Sequence, residues 1–230
     1  RCAICAIAPI VYWLDEPSRQ AGAIRGFDNR AASRGEGLFK PTAEGGFGCA
    51  DCHGVAGQGG VAAYNIETPL GTTRRVQWTA PSLDDVLYRF SEEEVRTILV
   101  YGRANTPMPA WGVLGGGAMN DQQIDDLIAY LSRIQISEKE AQKRAVEQID
   151  AEMKRPGGAS SLGEAAFNTN CARCHTKGWS YGEPEVSGGG AFGFNLTNGL
   201  ALRQFPNRDD MIEFIAPGSE LKKPYGVRGE

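Results

Sequence analysis

A chain of 230 residues is long enough for one large domain or two small ones, each with its own core. It is 41% hydrophobic and 23% charged, the balance of a soluble globular protein, and a net charge of -4 gives no electrostatic reason to expect nucleic acid. Only two histidines occur, His53 and His175, which removes His-assisted nucleophile triads and the common His-rich hydrolytic metal centres.

The first fourteen residues, RCAICAIAPIVYWL, are apolar after Arg1 and stop at Asp15 and Glu16. Thirteen apolar residues fall short of the roughly 20 that span a bilayer. Three readings compete: the end of a membrane helix, a signal remnant, or a buried core segment. Tyr12 and Trp13 suit an interfacial aromatic belt and the chain opens on Arg1 instead of Met, so residues 1–14 are expected to be the C-terminal part of a membrane anchor. Cys2 and Cys5 share a Cys-x-x-Cys spacing, but Ala6 follows them, and they read as small apolar packing residues. Residues 15–32 are then a linker.

Further on the chain repeats itself. SRGEGLF at 33–39 matches SLGEAAF at 161–167 in Ser, Gly, Glu and Phe. Each precedes a Cys-x-x-Cys-His motif, CADCH from Cys49 and CARCH from Cys171. FSEEEVRTILVYGRAN from Phe90 likewise parallels FPNRDDMIEFIAPGSE from Phe205. The order of parts is the same, which predicts two homologous domains, 33–135 and 161–230, joined by residues 136–160.

The helical signals are regular. Ser91 with Glu94 forms a capping box before a stripe of Val95, Ile98 and Leu99. Asn120 with Gln123 opens a helix in which Ile124, Leu127, Ile128, Leu131 and Ile134 recur at three and four residues, and this helix closes the first domain. Ser137 with Glu140 caps a third, charged nearly all round except for a row of Ala141, Ala145, Ile149 and Met153. It reads as a helical linker whose thin apolar seam rests on a neighbour.

Cys-x-x-Cys-His has a mechanical logic. Two thiols three positions apart on one turn each form a thioether with a haem vinyl group, and the next residue sets an imidazole beneath the iron. A thiol-redox motif needs no histidine, and a zinc site needs a fourth ligand. Two occurrences in repeated surroundings favour haem attachment at Cys49, Cys52 and His53, and at Cys171, Cys174 and His175. With both histidines inside the motifs, no bis-histidine haem forms within the chain. The sixth ligand is methionine, a weaker donor, or absent.

These residues resemble the class I c-type cytochromes, small helical domains that the resemblance makes all-α here: two in tandem, preceded by the end of a membrane helix and joined by a helical linker. Gly35 and Phe39 look like the family's small and aromatic positions on the N-terminal helix. Met108 in TPMPAWG looks like the sixth ligand, on a loop stiffened by prolines. Pro81 in APSL stands where the family's backbone carbonyl accepts a hydrogen bond from the ligating histidine. Met119 is a weaker ligand candidate, and Met153 a packing residue. Arg74, Arg75 and Arg103 are candidates for haem propionates, and Trp111 for haem packing or docking.

In the second repeat Gly163, Phe167, Cys171, Cys174 and His175 match, and GFNL with Phe194 stands where APSL stood. Met211 falls opposite Val95, on a packing stripe, so the second ligand loop is expected after Gly218, with a methionine and closing helix beyond Glu230. The plan looks like the membrane-anchored dihaem subunits of bacterial respiratory complexes. That resemblance implies two covalent haem c groups and electron transfer between a quinol-oxidising cytochrome bc-type complex and a terminal oxidase, on the periplasmic side. Rival readings are the dihaem electron-accepting subunit of a periplasmic dehydrogenase and a dihaem peroxidase-like enzyme.

Overall fold

A computed structural model describes residues 2–68 and 70–216, with side chains from residue 9 onward. The first helix, α1 (Cys2–Phe39), is 38 residues long and runs unbroken through the change of composition at Asp15. The expected linker at 15–32 is therefore helical. Its sequence holds four Ala and three Arg, both good helix formers, and the Arg19 guanidinium meets Glu16 at 2.6 Å one turn back, with Gln20 on the same carboxylate. Ile10 to Leu14 stand exposed. Among the described residues no helix is long and apolar enough to cross a membrane.

Only the last turns of α1 are buried. Ala32 and Phe39 face α4 (Asp121–Ile134), which presents Ile124, Leu127, Ile128 and Leu131 to the core. The two helices cross at Gly35, where a Cβ would stand 1.9 Å from the Asp126 carbonyl oxygen. A side chain of any size would force them apart. Arg34 fastens the crossing with two 2.7 Å bonds to the buried Asp126 carboxylate. Between these helices in sequence lie α2 (Cys49–His53) and α3 (Glu92–Tyr101). Val95, Leu99 and Val100 of α3 complete the core. Both α3 and α4 begin with the full reciprocal capping box, Ser91 with Glu94 and Asn120 with Gln123. Ile124 and Leu127 are 0% and 1% exposed, a burial worth about 1.5–3 kcal/mol each.

The all-α expectation fails at one place. After the first motif the chain forms an antiparallel hairpin, β1 (Gly60–Glu67) with β2 (Thr73–Ala80), in which Ala62 pairs with Trp78 and Tyr64 with Val76. Val, Tyr, Ile, Thr and Trp are strand formers, and Tyr64 meets Trp78 edge-on at 5.6 Å across the pair.

Beyond α4 comes the helix α5 (Glu138–Lys154), whose expected seam is realised in part. Ala141 and Ile149 are half-buried, while Ala145 and Met153 are exposed. Arg144 also forms a forked pair with Asp84 at 2.6 and 3.1 Å, and Glu152 accepts a 2.8 Å bond from Asn168 of α6 (Leu162–Asn170). The half-buried stripe thus mixes charged with apolar residues, and a search for apolar residues finds only half of it. Then come α7 (Ala172–His175), α8 (Leu200–Gln204) and α9 (Arg208–Ile215). Gly163 of α6, the repeat counterpart of Gly35, has nothing within 4 Å of its Cβ position.

Candidate functional site

The two Cys-x-x-Cys-His motifs fold alike. In the first, the thiols of Cys49 and Cys52 lie on the short helix α2, held by Thr42, whose backbone N–H and hydroxyl both donate to Asp51 at 3.1 and 2.8 Å. The ring of His53 places Nδ1 2.9 Å from the Pro81 carbonyl oxygen. That bond sets the tautomer, with the proton on Nδ1 and the Nε2 lone pair free for a metal. Burial pushes the His53 pKa down, which keeps the imidazole neutral as a ligand must be. The segment carrying Pro81 is itself tied to the motif loop, since Gly57 O accepts from Leu83 and Asp84 N–H groups at 2.6 and 3.2 Å.

In the second motif Nδ1 of His175 lies 2.7 Å from the Phe194 carbonyl oxygen. Phenylalanine replaces proline without consequence because the acceptor is backbone. The approach of this segment is close: a Cβ on Gly193 would stand 2.8 Å from Cys174 O and 3.0 Å from the His175 ring. Gly193 and Gly190 N–H groups cap Cys174 O and His175 O at 2.7 and 2.8 Å.

The four motif thiols are half-buried, and among the described residues none is in a disulfide. Burial raises each of their pKa values, that of Cys49 to about 11. A redox-active dithiol requires a lowered value, so this environment speaks against thiol chemistry. Among the described residues no three His, Cys, Asp or Glu side chains converge as metal ligands would. Two thiols on one turn followed by an imidazole with its Nε2 free fit a covalently attached haem, with the cysteines as thioether anchors and the histidine as axial ligand.

Met108 lies half-buried against the core, on a loop closed by Arg103 N–H to Met108 O at 3.0 Å and Met108 N–H to the Thr106 hydroxyl at 3.2 Å. Met119, in contrast, is 0% exposed and lies within the core, its N–H donating to Trp111 O at 2.7 Å. Trp111 is half-buried, with its ring edge-on to Phe47 at 6.0 Å. Arg103 stacks over the Phe90 ring at 5.2 Å. Arg74 is committed elsewhere, to a forked pair with Glu183 at 2.7 and 2.5 Å, and Arg75 is exposed. Met211 is half-buried on α9, none of whose residues is fully buried. The ligand loop expected after Gly218 lies outside the described residues.

Sequence reasoning missed the hairpin and what it carries. Trp78 packs on Tyr181 at 5.5 Å, Arg74 reaches Glu183, and Arg173 of the second motif donates to Thr79 O at 2.6 Å. The available signal was the run of strand formers Val76, Trp78 and Thr79 after the turn residues at 68–72.

Residues 32–135 match the family model described as cytochrome c. Neither a curated protein nor a solved structure matches the chain. The segment that holds Cys49, Cys52, His53, Pro81 and Met108 is thus a c-type cytochrome domain, of a family in which haem c is covalently bound.

Proposed function

We propose that the chain is a dihaem c-type cytochrome that passes single electrons in a respiratory chain, from a quinol-oxidising cytochrome bc-type complex toward a terminal oxidase. One observation carries the count of two. Each Cys-x-x-Cys-His motif sits on a short helix, and each histidine gives its Nδ1 proton to a backbone carbonyl, at 2.9 Å from Pro81 and 2.7 Å from Phe194. A repeated sequence motif alone does not require that second, distant contact to recur.

Haem, when bound, supplies an iron that gains and loses one electron. The protein does the rest. Cys49 and Cys52, with Cys171 and Cys174, would hold the macrocycles covalently, and His53 and His175 would each offer Nε2, with Nδ1 held by a backbone carbonyl. Strong Nδ1–H bonds raise the basicity of these imidazoles. Met108 would supply the first iron's remaining ligand, and its soft thioether would favour the reduced state. The exposed Ile10, Val11, Tyr12, Trp13 and Leu14 support contact of α1 with a bacterial membrane, with the haem domains on its periplasmic side.

A pyridine haemochrome assay combined with the intact mass of the purified chain tests the reading. Two haems per chain are expected; one haem would remove the dihaem reading. For the partners, the reduced protein is mixed with membranes containing a haem-copper oxidase. Rapid oxidation is expected, and its absence would favour the dehydrogenase-subunit reading.

A further inference from the structure

A residue of the second motif reaches the strand that supports the first. Arg173 is the third residue of CARCH, between Cys171 and Cys174. Its Nη1 donates a 2.6 Å hydrogen bond to Thr79 O, at the end of β2 and two residues before the Pro81 carbonyl that receives the His53 proton. The side chain is half-buried, and among the described residues it forms no ion pair. Its pKa is pushed down by burial and further by the charges of Arg89 and Arg103, though an arginine stays protonated throughout. Of those two neighbours, Arg89 is paired with Asp85 at 2.7 Å and Arg103 lies over an aromatic ring. The second motif thus carries a cation with no ion-pair partner among the described residues to the end of β2, two residues before the first histidine's hydrogen-bond acceptor. The same face is closed by Trp78 against Tyr181 and by the forked Arg74–Glu183 pair.

We propose that Arg173 is a positioning residue for the first haem, supplied by the second motif: it holds the Thr79–Pro81 segment against His53 and raises the first haem's midpoint potential. The inference rests on the two-haem reading above. Reduction adds one electron to the first site and no proton, so the site's charge falls by one. A fixed positive charge nearby favours the reduced form, and more strongly in a partly buried setting than in water. Arg173 also ties the second motif to the first site's support, so movement of one reaches the other.

The test is a potentiometric titration of the haem-loaded full chain. Met108→His, which exchanges a thioether for an imidazole, lowers the first haem's component and so identifies it. Arg173→Gln is expected to lower that same component, on the order of tenfold in the reduced-to-oxidised ratio at fixed potential, which is about 59 mV for one electron. Arg173→Lys keeps the charge and is expected to restore most of the shift; a purely structural role would leave both variants alike. Trp78→Ala, which loosens the contact with Arg173 intact, should move the first component the same way and serves where Arg173→Gln does not mature. An unchanged first component, or a shift confined to the second, overturns the proposal. A wild-type chain with one haem would overturn the dihaem reading instead, and titration of that single haem still decides the role of Arg173.

Discussion

The carbonyl oxygen of Asp126 lies 1.9 Å from the point where a Cβ on Gly35 would stand. The obstacle is backbone, so no rotamer change relieves it, and α1 and α4 are held at a separation only glycine permits. Gly35→Val is expected to destabilise the first domain by about 3 kcal/mol or more, read from urea denaturation. At Gly163 the same position is open. Gly163→Ala is expected to stabilise by about 0.5–1 kcal/mol through the unfolded state. Equal effects at the two glycines would contradict the difference in packing.

Asp126 is 3% exposed and takes both Arg34 bonds together with a 3.1 Å bond from Gln122. Asp126→Asn leaves the guanidinium facing a neutral amide and should cost about 2 kcal/mol, the range for hydrogen bonds to charged groups. Thermal melts of the haem-loaded protein check this. A loss below about 0.5 kcal/mol would place the crossing's stability in Gly35 and the core alone.

At the junction of α5 and α6, hydrogen bonds from Arg155 and Asn168 hold the Glu152 carboxyl below its usual range. Its folded pKa is lower than its unfolded one. The stabilisation it gives is therefore present above the ordinary carboxylate value of 4.5 and is lost as pH falls through the folded value. Hydrogen exchange in α5 should rise relative to α4 across that interval. Glu152→Gln should flatten the difference, and an α5 whose exchange tracks α4 at every acid pH would refute it.

The parts of the fold that were legible in the sequence are those set by short-range chemistry. The capping boxes at Ser91 and Asn120 and the stripe of Ile124, Leu127, Ile128 and Leu131 need only neighbours three or four residues away. What was not legible depends on partners far off in sequence. The hairpin interrupts its apolar alternation with Arg74 and Arg75, and Arg74 faces Glu183, 109 residues away. The apolar seam of α5 shows Ala141 and Ile149, which are half-buried, but not Arg144 and Glu152, which are bonded to Asp84 and Asn168. The drop in hydrophobicity at Asp15 suggested a boundary, but the helical backbone runs on through it and through Pro9 and Pro17, because a change of hydrophobicity does not by itself end a helix. At the site, Pro81 and Phe194 could be singled out because a backbone acceptor needs only the right place in the chain. Arg173 could not, because nothing in CARCH shows which strand lies opposite.

Trp78 lies between Tyr64 at 5.6 Å and Tyr181 at 5.5 Å, joining the hairpin to the second motif's surroundings. Its removal takes away a large, half-buried ring contact, worth about 1–2 kcal/mol of attachment. The exposed Arg74–Glu183 pair beside it is screened by water and contributes less. Trp78→Ala should make the segment around 155–160 much more sensitive to limited proteolysis, and Arg74→Ala should change it little. The reverse ranking would show that charge holds the interface.

Met108 is held by its own loop: the bonds from Arg103 N–H to Met108 O and from Met108 N–H to Thr106 are both backbone-anchored. Removing the thioether should leave that loop in place, so Met108→Ala is expected to open the first haem without unfolding its domain. The reduced variant should bind carbon monoxide at one additional haem relative to wild type, with a lowered midpoint for that haem and a melting temperature changed by only a few degrees. Met119→Ala makes the contrasting case. Its side chain is 0% exposed in the core, and truncation should cost about 2–5 kcal/mol while leaving the ligand set of the folded protein untouched. Carbon monoxide binding gained by Met119→Ala and not by Met108→Ala would reverse the assignment, because only the loss of a ligand vacates the iron's sixth position.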